Sequence, residues 1–486
     1  MVFNSIEFLF FFIIVFFLYH SFLKEKATLQ NILLLVASYF FYAYASWKIL
    51  PLLIISTLVF YGLGLAVFKT ENQKRKNLYA ILGILFGVGV LVYFKYMNFF
   101  IESVQSLLES MGFQTNEHTF HILVPVGISF YTFRLLSYII DIQRGKYEPT
   151  RDIVAFAAYV AFFPCILSGP IDRPNTFIPQ LKKKKTFDSA LAIDGLRQIL
   201  WGAFKKMVIA DNIAPIVGQI FDSQDTMPAN RLLLGAVLYT FQMYGDFSGY
   251  TDMATGVSKL FGFRVTKNFN FPLFAQNISD FWRRWHISLT SWLTDYIFMP
   301  LNIKWRDWGK WGMILAIIIN FVICGLWHGA NWTFVLWGFY HGLLFIPIIL
   351  LGTMFKKSKI TTGRWGLPTP KVFAKMLLTF FLVTIGLIIF RSESISQAFG
   401  YIARLFSTSL FSLNIGEYDT GRIKVLLSFI MIFVLLCVEW LGRNEEHALS
   451  RLGIKRKWLR YAFYYLILFC ILVYKGTEQQ FIYFQF

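Results

Sequence analysis

The chain has 486 residues, of which 56% are hydrophobic and only 15% charged, where soluble domains carry about 25% charge. That much apolar side chain cannot be hidden in an aqueous core with so little charge left for the surface, so a soluble fold is excluded in favour of a multi-pass membrane protein. The net charge of +19 falls in short loops between apolar runs, which is the positive-inside pattern of a membrane protein and not the footprint of nucleic-acid binding.

In chain order, Met1 to Glu7 places no Lys or Arg ahead of the apolar run from Phe8 to Leu18, so the first run is expected to remain as a membrane helix and not to be cleaved as a signal peptide. Runs approaching the ~20 residues that span a bilayer lie near 6–23, 29–46, 50–68, 78–100, 121–142, 231–250, 311–328, 331–352, 372–391, 423–442 and 458–475. About eleven spans are expected. Between 150 and 300 the pattern is interrupted by Pro, Gly and charge, as half-helices and re-entrant segments packed inside protein would require. The whole is read as one all-α integral membrane domain: N-terminal helices over 1–150, a motif-bearing core over 151–352, C-terminal helices over 353–475 and an aromatic tail over 476–486.

Loop charge sets the topology. Lys24 and Lys26; Lys69, Lys74, Arg75 and Lys76; Lys356, Lys357, Lys359 and Arg364; and Arg451, Lys455, Arg456, Lys457 and Arg460 mark cytoplasmic loops. The loop from Ile101 to Phe120 carries Glu102, Glu109 and Glu117 and no Lys or Arg, so it faces outward. Counting spans from either end puts the N-terminus and Gln479–Phe486 outside. The tract Lys182–Lys185 precedes an amphipathic stretch, Phe187–Met207, with Lys205 and Lys206; it reads either as a cytosolic interfacial helix held by anionic lipid or as a docking surface for an acidic partner or anionic cofactor. Cys165, Cys324, Cys437 and Cys470 form no C-x-x-C pair, which suggests neither a zinc site nor a disulfide framework.

Two tryptophan-flanked histidines are the candidates for chemistry: His286, within Asp280 to Leu289, and His328, within Gly325-Leu326-Trp327-His328-Gly329-Ala330-Asn331-Trp332. An ionisable residue at membrane depth is expensive and points to function; burial keeps an imidazole neutral and able to act as a base. The competing reading is a histidine satisfied by a neighbouring carbonyl. His341 lies thirteen residues beyond His328, roughly 220° around an ideal helix, so the pair would not share a face and is not expected to bind metal. His20, His118, His121 and His447 carry no evident signal. Asp246 and Asp252, in Tyr244-Gly245-Asp246-Phe247-Ser248-Gly249-Tyr250-Thr251-Asp252, are expected to pair with Arg283, Arg284 or Lys267.

The order Pro125 to Phe133, Ser168-Gly169-Pro170-Ile171, Tyr244 to Asp252, Asn268 to Pro272, Phe281 to Leu289 and Leu326 to Trp332 resembles the membrane-bound O-acyltransferase (MBOAT) superfamily, in its bacterial alginate O-acetylation and D-alanyl-transfer branch. The resemblance implies a ring of helices around a thin core, with a tunnel in which a cytosolic acyl thioester meets an extracytoplasmic acceptor near a buried histidine. It maps the family's near-universal histidine onto His328 and the branch's second histidine onto His286. One departure is Asn302-Ile303-Lys304-Trp305, where the branch continues with glycines and a basic residue.

The mechanism this implies has His328 take a proton from an acceptor hydroxyl as it attacks the thioester, then return it to the leaving thiolate. His286 would position donor or acceptor, and Trp327, Asn331, Trp285, Arg283, Asp246 and Asp252 are candidates for tunnel or substrate positioning. Acetyl-CoA is the expected donor, with another acyl thioester such as a carrier-protein thioester also fitting the basic cytosolic loops; no bound cofactor or metal is required, and the expected partners are membrane lipid, a polysaccharide acceptor and a secreted or periplasmic acetyltransferase. The expected site is the bacterial inner membrane. The rival reading is a transporter of a lipid-linked or anionic substrate, which inverted repeats would favour; none are evident. The tail Phe481-Ile482-Tyr483-Phe484-Gln485-Phe486 reads either as an aromatic interfacial anchor or, because it resembles the terminal motif of the small partner protein of D-alanyl transfer systems, as a relay in which Tyr483 carries the acyl group.

Overall fold

The structure, a computed structural model, describes residues 1–23, 26–113, 115, 122, 124–412, 422–451, 454 and 456–482. Lys24, Glu117, His118, His121, Lys455 and Tyr483 lie outside the described residues. The fold is helical throughout, with no strand among the described residues beyond an isolated bridge between Thr362 and Pro368. That is what a bilayer demands, because a helix satisfies its own backbone hydrogen bonds.

Two compact units divide the chain: Met1–Leu196 with Ala254–Thr266, and Arg197–Met253 with the chain from Lys267 onward. In the first unit, the stretches Ala27–Ala45, Trp47–Lys69 and Gln73–Ser110 are long and apolar enough to cross a membrane. Its interior is organised around Arg134, which is buried and donates to the carbonyls of Tyr159 at 3.1 Å and Pro170 at 2.9 Å. The carboxylate of Asp172 holds the returning segment by accepting from the backbone N–H of Thr266 at 2.8 Å and from its hydroxyl at 2.7 Å. Lys182, Lys183 and Lys184 are exposed.

In the second unit, Arg306–His328, Trp332–Leu350, Pro370–Arg391, Ile423–Gly442 and Lys457–Tyr474 are long and apolar enough to span, making eight such stretches among the described residues. The other three runs read from the sequence are helical but differ in kind. Ile6–Phe22 is shorter, Ile128–Gln143 has 16 residues, and Ala229–Leu260 has 32 but is interrupted by buried polar and charged groups.

Gly309–His328 and Trp332–Leu344 form a tight antiparallel pair in the second unit. Small residues let two membrane helices approach closely, and at Gly325 there is no alternative: a Cβ there would collide with the carbonyl oxygen of Phe334. Gly325→Ala is therefore expected to weaken the pair by about 1–3 kcal/mol, the usual range for overpacking. Thermal unfolding of the purified protein in detergent checks this; an unchanged midpoint would mean that the helices separate at no cost.

Candidate active site

His286 stands at a break between two short helices. The side chain of Asn277 caps Ile278–Trp282 by accepting from the N–H of Asp280 at 2.8 Å, and the next helix, Ile287–Leu293, begins only after His286 has turned through a left-handed conformation at φ +44°. Phe271 and His286 are the two non-glycine residues with positive φ among the described residues. Such a conformation costs on the order of 1–2 kcal/mol and persists only where the surroundings enforce it. Asn268 supplies that enforcement: its Oδ1 accepts from the Ser288 N–H at 3.1 Å, the Ser288 hydroxyl at 2.9 Å and His286 Nδ1 at 3.1 Å, while its carbonyl accepts from the Ile287 N–H at 2.9 Å. Because the Ser288 N–H can only donate, the shared atom is an oxygen, so the His286 proton sits on Nδ1 and Nε2 carries the lone pair. Burial pushes the His286 pKa down to about 3, so the ring is neutral at physiological pH.

His328 ends the helix Gly309–His328, and Gly329 leaves it in extended conformation. Its ring is buried among aromatics, with centroids 5.0 Å from Trp337 and 5.1 Å from Phe390, both edge-on. It lines a narrow cavity of about 20 Å³ together with Trp282, Trp285, Trp337, His341 and Phe390. A cavity of that size holds about one water molecule. Trp327 connects the two candidate histidines: its ring lies 5.6 Å from that of His286 and 4.8 Å from that of His328.

His341 lies on the same cavity as His328, contrary to the expectation from their spacing. The helix breaks between His328 and Trp332, so the angular argument from a single ideal helix does not apply, and the chain reversal brings both histidines onto one cavity. Trp337 packs against both, 4.9 Å from His341, and Trp282 Nε1 donates to His341 Nδ1 at 3.3 Å. Even so, no group of three metal-ligating side chains occurs among the described residues.

The carboxylates are also paired differently from the expectation. Asp246 pairs with Lys206 at 2.7 Å and Asp252 with Lys205 at 2.6 Å, whereas Arg284 turns back to Asp280 at 3.0 Å and Lys267 donates to Asn270 at 2.9 Å. Lys205 and Lys206 are themselves buried, not displayed on an interfacial face, because a π-helical turn over Phe204–Ala210 interrupts the amphipathic helix Ser189–Ala203 just where they occur. Of the other candidates, Trp285 is in the cavity wall and stacks on Phe281 at 5.4 Å. Arg283 instead latches the carbonyls of Met354 and Lys356, and Asn331 caps the helix Trp332–Leu344 while donating to the carbonyl of Glu393.

Sequence reasoning missed Glu439. It is buried within the apolar run 423–442, receives the Tyr244 hydroxyl at 2.8 Å and the Trp201 indole at 3.4 Å, and lies 3.8 Å from Lys205. The signal was present, since a carboxylate inside a membrane-length apolar run is costly enough to suggest a partner. Asp211, which pairs with Lys206 at 2.8 Å, was missed for the opposite reason: in sequence it looks like an ordinary helix-start acid.

The sequence profile of MBOAT, the membrane-bound O-acyltransferase family, matches residues 39–390. The chain is 38% identical over 447 residues to a probable alginate O-acetylase of Azotobacter vinelandii, covering 89% of this chain and 84% of that protein. It is 32% identical to a peptidoglycan O-acetyltransferase of Helicobacter pylori, covering 82% and 78%, and 30% identical to a teichoic acid D-alanyltransferase of Bacillus subtilis, covering 57% and 71%. With most of the chain matched at these identities, the protein is a multi-pass membrane O-acyltransferase of the MBOAT family.

Proposed function

We propose that the protein takes an acetyl group from a cytosolic thioester, acetyl-CoA in the first instance, and passes it across the inner membrane for O-acylation of an extracytoplasmic polysaccharide. Membership of an acyltransferase family displaces the transporter reading, and relatives that act on alginate, peptidoglycan and teichoic acid support a cell-envelope or exopolysaccharide acceptor. The observation that carries the mechanism is the position of His328: a buried imidazole at the end of a membrane-length helix, on a cavity walled by aromatic rings. As the acceptor oxygen bonds to the thioester carbonyl carbon, His328 takes its proton; as the C–S bond breaks, the thiolate receives that proton back. The aromatic wall excludes the water that would hydrolyse the thioester.

In this scheme the first acceptor oxygen is the phenol of Tyr483. A phenyl ester has a better leaving group than a sugar ester, so the acyl group can move on downhill to a secreted acetyltransferase and then to the polymer. The charge pattern of the loops supports an orientation with both termini outside.

Replacing His328 by alanine is expected to lower acyl transfer by ~10²–10⁴-fold, the usual contribution of a general base, with insertion and yield unchanged. Radiolabelled acetyl-CoA and the purified protein provide the assay, and full activity in a folded His328→Ala protein eliminates the mechanism. His286, pinned by Asn268, is assigned positioning, so His286→Ala should retain more turnover than His328→Ala at matched protein levels; the reverse order would exchange the two roles. Tyr483→Phe keeps the aromatic ring and removes only the hydroxyl. Polymer acetylation should be lost in cells carrying it, and normal acetylation would reduce the tail to an anchor.

A further inference from the structure

The segment that follows Lys457–Tyr474 is held by backbone contacts along its length. Asn212 Nδ2 donates to the carbonyl of Tyr474 at 2.8 Å, and the N–H of Gly476 donates to the carbonyl of Met207 at 2.9 Å. Gly476 passes so close to the neighbouring backbone that a Cβ there would stand 2.5 Å from the carbonyl carbon of Asp211. Further on, the Lys206 ammonium donates to the carbonyl of Gln479 at 3.0 Å, and the N–H of Ile482 donates to Asp246 Oδ2 at 2.7 Å. Phe481 and Ile482 are buried. The Phe481 ring stacks on Tyr250 at 4.6 Å and reaches Phe247 at 6.1 Å, and Phe247 meets His286 edge-on at 4.7 Å.

One ion pair therefore serves both polarities of this backbone. Lys206 takes a carbonyl and Asp246 takes an N–H three residues later, while the two side chains neutralise each other at 2.7 Å. A buried ion pair is weak evidence for stability, since its desolvation cost rivals its attraction. Its well-attested use is to fix register, and charge-assisted hydrogen bonds to main chain do this without regard to side-chain identity. An apolar anchor alone would let the segment slide.

We propose that Lys206 and Asp246 form a clasp that seats residues 476–482 beside His286 and sets the register at which the next residue in the chain, Tyr483, is offered for acyl transfer. The proposal rests on the relay reading of Tyr483, and Lys206 and Asp246 are positioning residues, acting through the tail.

The test uses Ile482→Cys as a reporter of seating in the full-length protein, with the exposed Cys437 and half-exposed Cys470 replaced by serine. Its maleimide labelling should be slow with Lys206 intact, at least ~10-fold faster with Lys206→Met, as expected for loss of a charge-assisted hydrogen bond, and slow again with Lys206→Arg. Gly476→Val gives the second arm, unseating the segment by collision at its root while leaving every buried charge paired. Polymer acetylation, measured without the reporter, should fall in Lys206→Met and Gly476→Val and return in Lys206→Arg. Slow labelling in both Lys206→Met and Gly476→Val overturns the clasp, and fast labelling with undiminished acetylation overturns its positioning role. Tyr483→Phe separates this from the relay. It should leave labelling slow while acetylation is lost; if acetylation persists in Tyr483→Phe but fails in Lys206→Met and Gly476→Val, the relay falls, and with it the presentation of Tyr483, while Lys206 and Asp246 still seat the segment.

Discussion

Charge in a dry interior must be paired, and in the second unit much of that requirement is met at one turn. Phe204–Ala210 presents two successive lysines to four carboxyls: Lys205 to Asp252 and Glu439, and Lys206 to Asp246 and Asp211. These acids come from different helices, Asp211–Asp222, Ala229–Leu260 and Arg422–Leu441. Removing either ammonium would strand more than one carboxylate in low dielectric, the costly way to break a buried pair. With four carboxyls to two ammonium groups, the cluster holds excess negative charge. Burial pushes Asp211 up to about 7, so this acid binds a proton readily near neutrality and relieves part of the excess. Four segments of chain thus meet on two adjacent residues.

The candidate catalytic cavity is organised on the opposite principle. The rings of Trp327, Trp337 and Phe390 stand around His328, and the charged cluster does not contribute to the lining of the cavity. Separation of the two suits acyl transfer under the proposed mechanism. A thioester survives best where water is scarce, and a general base works best as a neutral imidazole, whereas an ammonium or carboxylate beside it would bias its protonation and draw in water.

The composition and the long apolar runs made the membrane class and most of the helices legible, because a spanning helix needs ~20 apolar residues and little else. His286 and His328 were legible as candidates because an ionisable group in such surroundings is conspicuous. What could not be read was where the chain departs from regular helix. The left-handed turn at His286 is enforced by Asn268, eighteen residues away, and no local pattern announces it. The partners of Asp246 and Asp252 were misjudged in the same way: Arg283, Arg284 and Lys267 are near in sequence to the motif histidine, but a π-helical turn delivers Lys205 and Lys206 instead. The spacing of His328 and His341 misled because it assumed one helix where glycine and an Asn331 cap make two.

The two histidines sit in different surroundings, and under the proposed mechanism these go with different roles. His286 is held twice, by a strained backbone and by a hydrogen bond that fixes its tautomer, so its ring orientation is set before any substrate arrives. The rings of Trp327, Trp337 and Phe390 stand edge-on to His328 and form an aromatic slot around it. One ring nitrogen can take the proton from the attacking oxygen and return it to the leaving sulfur, so a neutral imidazole facing the cavity suits that task under the proposed mechanism. The fixed ring suits holding a partner, and its wall, through Phe247, is the surface against which Phe481 packs. Trp327, in contact with both imidazoles, then joins a side where position is prescribed to a side where a proton moves.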